Sequence, residues 1–405
     1  MDEKRRVTFA ALRHPNYRLW FYGQMISLFG TWMQTTAQGF LIFELTHSAA
    51  YLGLVGFASG VPTWLLTLYG GVVADRVPRR SVLAVTQSCM MLLAFVLAAL
   101  TFLRIVEPWH VLVLASLLGI ANSFDAPARQ SFVSEMVPPE DLTNAIALNS
   151  TMFQSATVVG PAMAGFAYAA FGPGWCFTIN GVSFIAVIAA LLAMKVPPPV
   201  RRTGTDSAIE ELIEGGRYIR SQPTIRVLIS MIAVSSMFGL SFTTLIPAWS
   251  VNVLGGGPAV NGLLFSARGA GALLGALFIA SLGRRVMRGR MLTYGSFIYP
   301  VLFLCLSFTR SLPLSLVILA GTGVGTILVN NLSNALVQTS TPERLRGRVM
   351  GAYIWIFFGF MPLGALWSGI VATHLGEPAA VMINAAAAFC FALTVLLSYP
   401  KLREE

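Results

Sequence analysis

Residues 71–80 read Gly71-Val72-Val73-Ala74-Asp75-Arg76-Val77-Pro78-Arg79-Arg80. One acid and three arginines sit in this short stretch, between two apolar runs each long enough to enter a bilayer. The charges must stay at a membrane surface while their neighbours are buried in lipid. The stretch therefore forms the tight connection between two spanning helices, and its charges are placed to act mechanically where those helices turn.

The rest of the chain has the same character. Of 405 residues, 56% are apolar and 11% are charged, with a mean hydropathy of +0.72. Soluble domains carry about 25% charged residues. About 20 apolar residues are needed to cross about 30 Å of hydrocarbon. Runs of that kind occur at 18–44, 50–74, 81–103, 109–130, 143–170, 174–196, 226–253, 259–282, 291–309, 312–337, 347–374 and 378–399. They are helices, because in lipid a backbone finds partners only within its own turns. They lack the alternating polarity of barrel strands. The expectation is an all-α membrane protein of twelve transmembrane helices. The charged opening Met1-Asp-Glu-Lys-Arg-Arg is not followed by a short apolar segment with a cleavage site, so the first run reads as a permanent span.

Charge placement supports that count. With twelve spans, both termini and the even-numbered connections share one side. All of the 27 Lys and Arg except Arg104, Arg310 and the intramembrane Arg268 fall there. Positive residues stay cytoplasmic, so both ends are expected in the cytoplasm. The net charge of +10 is then a topology signal, and no nucleic-acid partner is implied. Cys89, Cys176, Cys305 and Cys390 lie in separate spans without CxxC or His-rich spacing. Neither a disulfide framework, a metal site nor a cofactor is expected.

The longest polar segment, 197–225, divides the spans six and six. The predicted organisation is a six-helix half at 1–196, a cytoplasmic linker at 197–225 and a second half at 226–405. Within the linker, Ile209, Leu212, Ile213 and Tyr218 share helical spacing, with acids first and arginines last, as in an amphipathic surface helix. A simple linker helix and a lipid-binding helix both fit. The halves echo each other. Asn122-x7-Gln130 then Pro139-Glu-Asp-Leu142 recurs as Asn330-x7-Gln338 then Pro342-Glu-Arg-Leu345, and Pro161 is matched by Pro362. Internal repeats are a known construction of carriers, with the substrate site between them.

These residues carry a resemblance. Gly71-x3-Asp75-Arg76-x2-Arg79-Arg80 between spans two and three resembles the loop motif of the major facilitator superfamily, with Pro78 where glycine is usual. Asn16-Tyr-Arg-Leu-Trp-Phe through Gly30-Thr-Trp-Met33, Asn122 through Gln130, Asn144-Ala-Ile-Ala-Leu-Asn149, Gly160-Pro161 and Leu345-Arg-Gly-Arg-Val-Met-Gly351 are similar to its enterobactin-exporter-like, or transmembrane secretion effector, branch. The resemblance covers nearly the whole chain and implies two pseudo-symmetric six-helix halves. It implies gating by Gly71, Asp75, Arg76, Arg79 and Arg80, with Arg76 pairing Asp125 and Asp75 facing the positive start of span eleven. A surface-anchoring role is the plainer reading of the same charges.

Asp125 is the single acid inside a span, and Arg129 follows one turn later. An intramembrane carboxylate is costly and needs a partner or a function. Proton coupling and a conformational ion-pair lock are both open, and they overlap if protonation releases the lock. Arg268 lies near the middle of span eight with no acid in any span of its half. It is either an anion-binding group or a structural arginine. Thr31, Gln34, Thr35 and Gln38 stripe span one, and Asn330, Asn331 and Asn334 stripe span ten. Gln34, Gln38, Asn330 and Asn331 are candidates for substrate contact or for interhelical bonds. Gly160-Pro161-x3-Gly165 resembles the motif of exporting members and fits helix packing. The four histidines lie outside or at the ends of the spans, and no GxSxG, HExxH or GxxxxGK[ST] motif occurs, so an enzyme or an ATPase is not expected.

The expectation is a monomeric secondary active transporter of the cell membrane, working by alternating access. It would export a small amphipathic or hydrophobic compound, drug-like or siderophore-like, against protons, with lipid around it. The alternatives are an importer of a small metabolite and a sensor or assembly factor on a carrier fold.

Overall fold

The computed structural model describes residues 9–194, 208–281 and 287–404. The predicted linker between 195 and 207, and the basic residues at 4–6, 195, 201–202 and 284–285, lie outside the described residues. Among the described residues every regular element is helical. In order they are α1 (Pro15–Thr46), α2 (Ala49–Arg76), α3 (Arg79–Phe102), α4 (Pro108–Phe132), α5 (Pro139–Phe171), α6 (Pro173–Ala193), α7 (Ala208–Ser221), α8 (Pro223–Val234), α9 (Phe242–Ala248), α10 (Pro258–Ser281), α11 (Arg288–Gly295), α12 (Ile298–Ser307), α13 (Leu312–Ser340), α14 (Glu343–Leu375) and α15 (Glu377–Ser398).

Local sequence explains the ends. α1, α4, α5, α6 and α8 open with proline, which loses nothing in a first turn whose N–H groups have no partner within the helix. α5 and α14 stop at Gly172 (φ 86°) and Gly376 (φ 83°), left-handed positions that favour glycine. The predicted span at 226–253 is broken into α8 and α9, each followed by a wide π turn, Ser235–Leu240 and Trp249–Val253. The span at 291–309 is broken between α11 and α12.

Among the described residues, ten helices or joined helices are long and apolar enough to cross a membrane. α1 and α5 are not among them, although they have 32 and 33 residues. Their amides and hydroxyls lower their hydropathy: Gln24, Thr31, Gln34 and Gln38 on α1, and Asn144, Asn149, Gln154 and Thr157 on α5. These two helices pack on each other, and each packs on α6 and α10.

The apolar cores separate along the chain. One is drawn from residues between Ile219 and Leu402 with Ala49, and the others from residues between Ala11 and Met194 with Ala248. Contact between these sets runs chiefly through two seams, α2 with α14 and α5 with α10. In lipid no hydrophobic force drives helices together, so close packing of small residues must do it. Both seams follow this rule. Gly53 abuts the Ala365 carbonyl, and Gly60 abuts Pro362. Gly165 abuts the Pro258 carbonyl, and Gly262 abuts that of Pro161.

The α2–α14 seam differs between its two ends. The α2–α14 seam runs from the Ala50 N–H, which donates to Thr373 Oγ1 at 2.9 Å, to Trp64 and Trp355. Beyond them, toward the end that carries the Asp75–Arg80 turn, a side chain added at Gly71, Gly347 or Gly351 would meet nothing within 4 Å. That motif end is open, and the opposite end is shut.

α7 docks on α14 at the motif end. Gly215 abuts the Arg348 carbonyl, and Glu214 accepts a hydrogen bond from Arg348 and lies 3.8 Å from Arg344. Leu212, Tyr218 and Ile219 pack into the protein core, so this linker helix turns much of its apolar face to protein instead of lipid.

Candidate functional site

Asp125 sits about two turns before the end of α4, where α3 lies alongside. It is 1% exposed. Thr86 Oγ1 and Gln87 Nε2, both on α3, donate to Oδ1 at 2.9 and 2.8 Å. Arg129 Nε lies 3.4 Å from Oδ2, across one helical turn. Three donors thus approach the carboxylate, two on Oδ1 and one on Oδ2. An unpaired Asp at the centre of a span costs about 2.5–3.5 kcal/mol on insertion scales. Gln87 Oε1 and Gln24 Oε1 are buried without a partner among the described residues.

This cluster forms one wall of a cavity of about 190 Å³. Gln24, Ser27, Thr31 and Thr35 line it from α1, and Trp32, Phe153 and Phe184 supply its aromatic surface. Thr31 and Thr35 return their hydroxyls to carbonyls one turn earlier, so the α1 wall offers methyl groups as well as oxygen.

The expected partners of the loop motif are not met in this conformation. Arg76 is exposed and makes no ion pair among the described residues. Asp125 lies inside the bundle, where its partners are Thr86 and Gln87 of α3 and Arg129. Asp75 does not face the start of α14. Its side chain is 59% exposed, and Arg79 is its ion-pair partner at 3.5 Å. At this end Gly71, Gly347 and Gly351 have open space around them, and α7 covers the first turns of α14. Arg79 also binds Glu135 at 2.5 Å, beyond the end of α4, and Arg80 donates to the Leu192 carbonyl at 3.0 Å. Glu135 was invisible as a partner because 56 residues separate it from Arg79.

The motif glycine stands in open space in this conformation. A Cβ on Gly71 would meet nothing, whereas one on Gly70 would lie 2.0 Å from the Ser123 carbonyl. Gly70 sets the approach of α2 to α4.

Of the polar candidates, Gln34 does not line the cavity. It accepts from Asn180 Nδ2 on α6 at 2.7 Å, an interhelical bond between buried amides. Gln38 is buried two turns beyond Thr31, where Gly39 meets Pro247. The Asn330 side chain accepts from Ser235 Oγ at 3.2 Å, and its carbonyl accepts from Tyr353 at 3.2 Å. Asn331 is exposed on α13. Gly160 abuts Trp32, and Pro161 and Gly165 face Gly262 in the α5–α10 seam.

Arg268 is held by its backbone on α10. Its carbonyl abuts Gly323 of α13, and its neighbour Gly269 abuts Thr157 of α5. Its side chain has no hydrogen-bond or ion-pair partner among the described residues, and Nε is buried. An arginine at mid-span costs about 2.5–3.5 kcal/mol on the same insertion scales.

A family model described as transmembrane secretion effector matches residues 6–405. The chain belongs to that family, within the major facilitator superfamily.

Curated relatives of this transmembrane secretion effector are transporters. The staphyloferrin A transporter of Staphylococcus aureus is 23% identical over 390 residues, covering 95% of this chain and 96% of its own. The multidrug efflux pump Tap of Mycolicibacterium fortuitum is 26% identical and covers 86% of this chain and 87% of its own. The enterobactin exporter EntS of Shigella flexneri is 26% identical, with coverages of 84% and 81%. Solved structures share the fold. A bacterial homolog of the human lysosomal transporter Spinster, inward-facing and occupied, superposes with a TM-score of 0.76 at 14% identity, covering 96% of this chain and 98% of that one. The nucleoside transporter NupG gives 0.71 at 15%, covering 95% and 98%. The protein is therefore an all-helical membrane transporter of small molecules, with the major facilitator fold.

Proposed function

We propose that this transmembrane secretion effector is a secondary active exporter of small amphipathic or hydrophobic compounds, driven by protons through Asp125. Twelve helices cross the membrane, α1 and α5 included, as two six-helix bundles at 1–196 and 226–405 that rock about the seams. The termini are cytoplasmic, so the open motif end faces the cytoplasm and the shut end faces outward. The protein acts as a monomer.

The observation that carries this reading is the buried Asp125, held by Thr86, Gln87 and Arg129 at the wall of the cavity. Ionised, it is a good acceptor for all three donors. A proton removes its attraction for Arg129 and turns one oxygen into a donor. Gln87 Oε1, buried and unpaired among the described residues, is a ready acceptor after an amide rotation. α3 and α4 thus have two hydrogen-bonded arrangements, selected by one proton. Export is favoured by the relatives named for export or efflux and by the open motif end, from which a cytoplasmic compound would enter.

The experiment is flux in liposomes containing the purified protein. Dyes that are substrates of multidrug pumps serve as probes, under an imposed proton gradient. Gradient-driven movement in wild type, abolished in Asp125→Asn, is the expected outcome. Equal gradient-driven flux in the variant removes Asp125 from the coupling step.

A further inference from the structure

We propose that Arg268 is an anion-binding group in the transport pathway, and that the protein selects substrates carrying a carboxylate or another organic anion. This deepens the exporter reading above and rests on it for its biological meaning, while its test reads binding alone.

Three observations converge on it. First, the arginine cannot escape to water along its own helix. At 1.5 Å per residue it lies about 15 Å from the start of α10 and about 20 Å from its end, beyond the reach of a snorkelling side chain. Second, it faces inward. Leu274, Leu277 and Phe278 form the exposed stripe of α10. Arg268 shares the opposite side with the buried Asn261 and with Phe265 and Ala272, at spacings of three to four and seven residues. α5 and α13 hold this part of α10 from two sides through Gly269 and Gly323, so the guanidinium projects from a fixed backbone.

Third, its charge is uncompensated. Thr157 and Val158 of α5 and Ala320 to Gly323 of α13 are the nearest packed backbone, and none is acidic. The intramembrane acid, Asp125, is already paired with Arg129. The pathway therefore carries one surplus positive charge, with five N–H donors in a planar fork and no acceptor for them among the described residues. A guanidinium in that position has its natural counter-group in a planar oxyanion, which takes two parallel hydrogen bonds.

The site adjoins the cavity already described. Phe153 lines that cavity, and Thr157, one turn further along α5, abuts Gly269 beside Arg268. A flat apolar body against Trp32 and Phe153, with its anionic end toward α10, matches both surfaces.

The test uses the full-length protein in phosphatidylcholine nanodiscs and three probes that share one ring system. They are 1-naphthoate, 1-naphthylmethanol and 1-naphthylmethylammonium, with affinities read by calorimetry. Naphthoate is expected to bind at least roughly tenfold more tightly than either of the others, the scale of one charge-assisted bidentate pair. Arg268→Met and Arg268→Gln are expected to erase that preference, and Arg268→Lys to keep part of it. Equal affinities, no binding of naphthoate, or a preference that survives Arg268→Met overturns the proposal. If the neutral variants do not fold, Arg268→Lys decides it: a preference left undiminished there overturns the proposal. Chloride alone is the control: full protection against naphthoate by chloride would mark an inorganic counter-ion site and also overturn it. A charge preference without gradient-driven flux would leave the site standing and sink the exporter reading.

Discussion

Trp64 of α2 and Trp355 of α14 meet with ring centroids 4.9 Å apart, across the seam between the two helices. Gly359, one turn from Trp355, lies under the Trp64 indole, and a Cβ there would come within 2.6 Å of it. On the shut side of this pair the seam is glycine, alanine and proline; on the open side the helices diverge. In the rocking motion proposed above, the pair is the fulcrum.

Gly359→Val should therefore weaken the shut end and favour the opposite state. Gly71 and Gly351 are suited to report it, because added side chains there meet nothing in this conformation. Spin labels at Gly71→Cys and Gly351→Cys should show a shorter distance when Gly359→Val is added. An unchanged distance distribution would show that the tryptophan contact does not hold the seam.

Gly70 and Gly71 should separate sharply. Gly70→Ala sets a methyl against the Ser123 carbonyl and should cost about 1–3 kcal/mol, the range for overpacking. Gly71→Ala should leave thermal stability within about 0.5 kcal/mol, as substitutions in open space do. Melting followed by fluorescence-detected chromatography in detergent measures both. A Gly71→Ala variant that melts as early as Gly70→Ala would contradict the packing described.

Arg79 links Asp75 to Glu135, with its side chain and that of Glu135 about four-fifths buried. Glu135→Gln should lower stability by about 1–2 kcal/mol through loss of a charge-assisted bond. It should leave the cavity intact. Chemical unfolding of the reconstituted protein reads the first effect and probe affinity the second. Loss of probe binding in Glu135→Gln would mean that the motif acts on the cavity directly.

Much of this architecture was legible in the chain because lipid leaves a strong compositional signal. The apolar runs, the one-sided basic charge, and Arg129 one turn from Asp125 are local patterns. α1 and α5 read as apolar runs at 18–44 and 143–170, yet their amides and hydroxyls dilute their hydropathy and they are not among the helices apolar enough to cross. The partners of the site were not legible. Thr86 and Gln87 reach Asp125 across 39 and 38 residues, and Asn180 reaches Gln34 across 146. Each is an ordinary polar residue until the bundle forms. The Asp75 and Arg76 contacts failed for another reason. A motif names contacts that exist in some states of a moving protein, and the motif end is open in this one.

Glu214 of α7 holds Arg348 at the start of α14 on that open end. Glu214→Gln should loosen α7 and make closure of the motif end easier. Spin labels at Gly71→Cys and Gly351→Cys should report a larger fraction of short distances. A smaller fraction would mean that α7 promotes closure.

The central claim is that one proton on Asp125 selects between the two states. The most direct measurement is the distance distribution between spin labels at Gly71→Cys and Gly351→Cys in nanodiscs, recorded at acidic and at alkaline pH. The account predicts a pH-dependent shift between long and short distances in the otherwise wild-type protein, and a single pH-independent distribution in Asp125→Asn. A full pH-dependent shift that persists in Asp125→Asn would contradict it.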